Sequence, residues 1–227
     1  MKIRIALPKG RLWDSTHELF EKSEIYLNLE DRGYQPKSNL KNIEFYMLKP
    51  RDIPKMVELG FVDAGIVGTD LVEDENADVS RMLDLKTMPV YLIVAGKRKQ
   101  KRIMNAKKNR MIVASEYAGI AKKYFRSKKI KFRLIKTHGA TECFVPKFAD
   151  IIVDHTQTGI TLKKNNLKVF DIIMKSTTHF IVHKRLNNKK IEELNIFKNK
   201  LISGMEKMDL SYSEFLDEHK IITTLGV

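Results

Sequence analysis

A single cysteine, Cys143, stands among the 227 residues, so no internal disulfide can form and no CxxC pair offers a thiolate metal site. A reducing compartment, most simply the cytoplasm, is expected. Long apolar runs are missing as well. The longest, residues 90–95, is far shorter than a membrane span, and the opening MKIRIALPKG lacks the apolar core of a signal peptide. No GxGxxG follows a strand pattern, and no GxxxxGK with a following Ser or Thr occurs. The standard dinucleotide and Walker phosphate loops are therefore excluded. Internal repeats, Pro-rich linkers and low-complexity tracts are also absent. What remains, 43% hydrophobic and 31% charged residues, is the balance of a folded globular chain, long enough for one large or two modest domains.

Acidic residues are scarce in one stretch. Residues 97–136 hold sixteen Lys or Arg against one acid, Glu116, and so carry more than the whole net charge of +14. Such a stripe is either a solvated face or a means of gathering a polyanionic small molecule toward a cleft. Nucleic acid is a third candidate partner. The run Lys97-Arg98-Lys99-Gln100-Lys101-Arg102 has no interleaved aromatics for bases to stack on, which argues against it.

The pattern alternates strand and helix, as in an α/β fold. Residues 3–7 form an apolar strand, and the turn Pro8-Lys9-Gly10-Arg11 puts Lys9, Gly10 and Arg11 where a strand ends and a helix begins. Ligand contacts in such sheets gather there. The spacing of Ser15 and Glu18 predicts a capping box on that helix. Residues 43–48 read as a strand, Asp52-Ile53-Pro54 opens a helix that stops at Gly60, and residues 63–70 hold a short strand flanked by glycines, then Thr69-Asp70 at a helix start. Asp70 is thus a cleft-edge candidate. Residues 89–95 are a strong strand, and the change of charge at Gly96 is read as the crossing into a second domain. Further strands are expected at 111–114, 130–136, 151–154, 167–174 and 179–182, with a helix capped by Ser115 and running to about Arg126. Leu194, Phe197, Leu201, Met205 and Met208 recur at helical intervals, so a final helix packs one face back on the first domain. The expected division is 1–95 with 178–227 as one lobe and 96–177 as the other, with mixed sheets flanked by helices. A chain that leaves one lobe, builds another and returns is expected to bind its ligand in a cleft between them.

Residues 151–162, IIVDHTQTGITL, carry the sharpest chemical signal. A β-branched apolar run ends in Asp154, and small or polar residues lead into Thr158-Gly159-Ile160-Thr161. Gly159 permits a tight turn and close approach, while Thr158, Thr161 and successive backbone N–H groups can donate to an anion. A carboxylate just before the turn is placed to meet sugar hydroxyls. By itself the pattern also fits a plain strand-to-turn junction.

Four segments in register, IALPKGRL, KPRDIPKMVELGFVDAGIVGTDL, ASEYAGIAKKYF and ADIIVDHTQTGITLKKNNL, resemble the ATP phosphoribosyltransferase of histidine biosynthesis, over residues 2 to about 184. The resemblance implies a two-lobed fold related to periplasmic binding proteins. It also implies the family reaction, attack of N1 of the ATP adenine on C1 of phosphoribosyl pyrophosphate, giving phosphoribosyl-ATP and pyrophosphate. By resemblance, Asp154 faces the ribose hydroxyls and, with Glu142 of a Gly-x-x-Glu turn, is the candidate catalytic pair. Thr156, Gln157, Thr158, Gly159, Ile160, Thr161 and Leu162 would join Asp154 in binding phosphoribosyl pyrophosphate. Lys9, Gly10, Arg11 and Asp70 would serve the ATP and pyrophosphate end. Mg²⁺ is expected as the pyrophosphate counter-ion, bound mainly through substrate phosphates, with no protein metal ligand assigned. A two-lobed polyanion-binding protein without catalysis is the alternative.

Departures accompany the resemblance. His155 and Thr156 stand where the family has hydrophobic residues, Gln157 where it has an acid or serine, and Phe148 where a glycine is usual; the loop before Ala149 is one residue shorter. Val90-Tyr91 replaces a Cys-Arg pair. The tail after Lys184 is too short for the regulatory domain of the family's long members. A short form is expected, working as a homodimer, with a regulatory subunit resembling histidyl-tRNA synthetase as a further candidate partner. Met205, Met208 and Phe215 are read as core packing before interface.

Overall fold

Twelve strands and six helices are assigned in the computed structural model, which describes residues 2–28, 33–98 and 110–208. In chain order they are β1 (Ile3–Pro8), α1 (Arg11–Lys22), β2 (Leu27–Asn28), β3 (Lys37–Ser38), β4 (Ile43–Leu48), α2 (Ile53–Glu58), β5 (Ala64–Gly68), α3 (Thr69–Glu75), β6 (Val79–Asp84) and β7 (Val90–Gly96). There follow β8 (Met111–Ser115), α4 (Ala118–Ser127), β9 (Phe132–Lys136), β10 (Ile151–Thr156), α5 (Ile160–Lys164), β11 (Lys168–Ser176), β12 (Thr178–His183) and α6 (Asn188–Lys207). The described residues divide into two units, one made of those up to Met88 together with residues 177–208, the other of those within Pro89–Ser176. The basic residues Lys99, Lys101, Arg102, Lys107 and Lys108, and Phe215, lie outside the described residues.

In the first unit the sheet order is β4-β1-β5-β12-β6. β1 runs parallel to β4 and β5, while β12 runs antiparallel to β5 and β6. β1 is buried at Ile3, Ile5, Ala6 and Leu7, as a central strand covered by helices must be. Helix α6 brings Leu194, Phe197 and Leu201 onto this core, where Phe197 lies 5.4 Å from Phe180 and 5.9 Å from Phe20 between ring centroids. Met205 and Met208 pack against the same core, so the expected return of a final helix to the first lobe is what the fold contains.

The second unit has the order β11-β7-β10-β8-β9, with β10, β8 and β9 parallel and β7 antiparallel to both its neighbours. Ile151 and Val153 pack on one face and Ile152 on the other, the alternation of a strand buried on both sides. Strand β7 corrects the expected boundary. The crossing falls after Met88 and not at Gly96, because the apolar run that ends the first segment pairs with β10 and β11. The return comes at Thr177, one residue earlier than expected.

Two expected caps are also replaced. Helix α1 starts at Arg11 from Gly10, whose φ of 75° turns the chain; Ser15 lies inside the helix and its hydroxyl donates to Leu12 O at 3.4 Å. Ser115 does not cap α4. Its hydroxyl donates to Val153 O at 2.6 Å and accepts from Tyr117 N–H at 2.8 Å, tying β8 to β10 before the helix begins. Asp52 precedes α2 as expected, although its side chain makes no capping bond.

Candidate functional site

In an α/β sheet the parallel strands end at one edge, and the loops leaving that edge carry the ligand contacts. Each unit has such an edge. In the second unit β8, β9 and β10 supply it, and β10 delivers Asp154, whose residue is 9% exposed, just past the last pairing with β8 at Val153↔Ser115. Its Oδ1 accepts the His155 backbone N–H at 2.7 Å and lies 3.3 Å from His155 Nδ1.

The turn that follows is built by its own residues. Thr156 is 9% exposed, and its hydroxyl accepts the Gly159 N–H at 3.0 Å, folding the segment back on itself. Gly159 then takes φ 73°, a left-handed conformation a side chain would strain, and starts α5. Bonding within the helix begins where Lys163 N–H donates to Gly159 O at 3.0 Å, so the N–H groups of Ile160, Thr161 and Leu162 have no acceptor in the helix. They form a short row of donors at the strand edge. Gln157 and Ile160 are exposed, and Leu162 is the residue of this turn that goes into the core.

Glu142 lies on a single 3-10 turn, Thr141–Phe144, which packs against the ends of β8 and β10. Gly139 at φ 111° and Ala140 at φ 49° make the reversal leading to it, and the buried hydroxyls of Thr137 and Thr141, 2.9 Å apart, lock its base. Glu142, Asp154 and residues 156–162 thus share one edge of one unit. Phe148, in the shortened loop, is exposed and stacks edge-on to Phe144 at 6.1 Å.

The first unit has its own edge, formed by β4, β1 and β5. Lys9, Gly10 and Arg11 follow β1, and Asp70, 6% exposed, is in the first turn of α3 after β5. Lys9 N–H donates to Leu48 O at 2.9 Å, and its ammonium lies 3.6 Å from the ring centroid of Tyr34. Tyr34 escaped the sequence reading, as did Tyr117, whose hydroxyl is 3.2 Å from His155 Nδ1. Neither belongs to a local pattern. Only an exposed aromatic in an otherwise polar loop hinted at the first.

A family model described as ATP phosphoribosyltransferase matches residues 49–203. A relative from Thermodesulfovibrio yellowstonii, named ATP phosphoribosyltransferase, is 31% identical over 98% of this chain and 80% of its own length. One of the same name from Campylobacter fetus is 36% identical over 85% of this chain and 94% of its own. Among solved structures, a chain of the ATP phosphoribosyl transferase (HisG:HisZ) complex from Thermotoga maritima superposes with a TM-score of 0.79 at 26% identity, covering 90% of this chain and 99% of its own. A histidine kinase sensor domain with similarity to periplasmic binding proteins follows at 0.55 and 13% identity, which speaks for the fold alone.

Proposed function

We propose a residue-level mechanism from the premise that this chain belongs to the ATP phosphoribosyltransferase family. The reaction is transfer of phosphoribosyl from phosphoribosyl pyrophosphate to N1 of ATP, the first step of histidine biosynthesis. The C1–O bond to pyrophosphate breaks, and the N1–C1 bond forms with the adenine electron pair. Charge develops at the anomeric carbon and on the departing pyrophosphate, so catalysis consists of positioning and electrostatic stabilisation, and no protein nucleophile is required.

The observation that carries the assignment is the turn after β10, where Asp154 immediately precedes a row of backbone donors closed by Thr156 and Gly159. Thr158, Thr161 and the N–H groups of residues 160–162 bind the 5′-phosphate, and Asp154 accepts from the ribose hydroxyls. Glu142 faces the reacting ribose or adenine. Lys9 and Arg11, with Gly10 allowing close approach, neutralise the phosphates of ATP and pyrophosphate, and Asp70 borders that end. Among the described residues no cluster of three His, Cys, Asp or Glu forms a cation cage. Mg²⁺ enters with the substrates in this reading, held mainly through their oxygens, where it would offset the charge of the leaving pyrophosphate.

Among the described residues no helix is long and apolar enough to cross a membrane. A cytoplasmic location is our reading of the lone Cys143, which suits a reducing compartment. We propose a homodimer and, by extension from the two-component Thermotoga maritima complex, a regulatory subunit that pairs with it. The test is pyrophosphate release with ATP, phosphoribosyl pyrophosphate and Mg²⁺, alone and with a candidate subunit. Turnover dependent on both substrates is expected, and Asp154→Asn or Thr161→Val should lower it by about a hundredfold or more with the fold intact. Near-normal rates in either variant would remove that residue from the site. Silence of the wild-type chain in both assays, with its melting temperature still raised by phosphoribosyl pyrophosphate, would favour the non-catalytic binding protein.

A further inference from the structure

We propose that His155 is a positioning residue for the phosphoribosyl site: clamped by Tyr117, its imidazole fixes the Asp154 carboxylate and leaves Oδ2 to the ribose hydroxyls. The proposal rests on the assignment of Asp154 to that site. Adjacent residues of a strand ordinarily point to opposite faces. At the end of β10 they meet instead, with His155 Nδ1 3.3 Å from Asp154 Oδ1 and the His155 N–H donating to the same oxygen at 2.7 Å. One backbone bond would leave the carboxylate free to swing. Two contacts on one oxygen define its plane.

The imidazole is itself held. The Tyr117 hydroxyl is 3.2 Å from Nδ1, and the two rings meet edge to face at 5.9 Å. Tyr117 is buried, its N–H is taken by Ser115 Oγ, and Ser115 donates to the carbonyl of Val153, the residue before Asp154. The contacts therefore run in a ring, from Val153 through Ser115, Tyr117 and His155 to Asp154, all within the second unit. A carboxylate facing Nδ1 favours the tautomer that carries its proton there, since a lone pair would otherwise face an anion. The histidine side chain is 43% exposed, so the clamp lies next to the ligand-facing surface and not in the core. A carboxylate oriented before binding gives up less freedom when it takes two hydroxyl donors.

The test is a double-mutant cycle read by calorimetric titration of phosphoribosyl pyrophosphate and by steady-state KM values, with circular dichroism to confirm folding. His155→Leu should weaken phosphoribosyl pyrophosphate binding about tenfold while KM for ATP is unchanged, the loss expected when one orienting polar contact is removed. His155→Asn, whose amide nitrogen falls near the place of Nδ1, should recover most of that loss. In an Asp154→Asn background, His155→Leu should cost nothing further. An unchanged affinity in His155→Leu beside a weakened Asp154→Asn would overturn the positioning role alone, as would additive losses. An unchanged Asp154→Asn would overturn the site assignment and this inference with it.

Discussion

The ammonium of Lys9 over the ring of Tyr34 shows how one cation at a strand edge is aimed. Tyr34 is 64% exposed, yet its backbone is fixed, because its carbonyl accepts Met47 N–H at 2.8 Å from β4. A cation over an exposed ring gains about 0.5–1 kcal/mol. Tyr34→Leu should therefore raise KM for ATP roughly two- to fivefold with kcat little changed, whereas Tyr34→Phe keeps the ring and should stay near wild type, a split that steady-state kinetics would resolve. Lys9 was legible in the sequence because a strand end announces itself locally. Its aromatic partner was not, since nothing between residues 9 and 34 encodes their meeting. The same holds on the other edge: Asp154, Thr156 and Gly159 lie within one short segment that builds its own turn, while the contact of Tyr117 with His155 exists only once β8 and β10 are paired.

Helix α6 was visible from its apolar period, but what it demands of its neighbour was not. A Cβ added to Gly204 would lie 2.0 Å from Ser23 Oγ and 2.9 Å from Ser23 N, so the backbones of α6 and the end of α1 approach too closely for any side chain there. Ser23 cannot easily yield, because its hydroxyl already donates to Leu19 O at 2.7 Å. Alanine normally improves a helix by about 1 kcal/mol over glycine. Here Gly204→Ala should instead lower stability by about 1–3 kcal/mol, the cost of overpacking, read as a lower urea midpoint at unchanged slope. The misplaced cap on α1 belongs to the same scale. A glycine able to adopt positive φ started the helix at Arg11, ahead of the Ser15 and Glu18 spacing that suggested a later beginning.

Across the molecule, alternation of apolar strands and amphipathic helices was enough to read the α/β class. The partner of β7 was not readable, since a strand buried on both faces looks the same in either sheet. Asp63 joins distant parts of the chain in the first unit. It binds Arg4 of β1 through the backbone N–H at 2.9 Å and the guanidinium at 3.3 Å, and Lys190 of α6 at 2.6 Å. Burial alone would raise its carboxyl, but the bonds from Arg4 and Lys190 outweigh that and hold it below the usual carboxylate range. A carboxylate depressed on folding contributes stability that is complete above its unfolded value and is lost as pH falls through the native one. Asp63→Asn should thus cost about 3 kcal/mol at neutral pH. The gap from wild type should narrow as the pH is lowered through the carboxylate range, as urea titrations at a series of pH values would reveal. A constant gap would assign the loss to packing.

The position of β12 sets an order of events for a chain emerging from the ribosome. In the first sheet β6 has one partner, β12, which also pairs with β5. Both earlier strands are translated before residues 89–176, and β12 only after them. The second unit can close its own sheet while β6 waits, its backbone donors and acceptors open to other nascent chains. Emergence of the chain through His183, and not the completion of any earlier helix, is the moment at which that strand becomes sheltered.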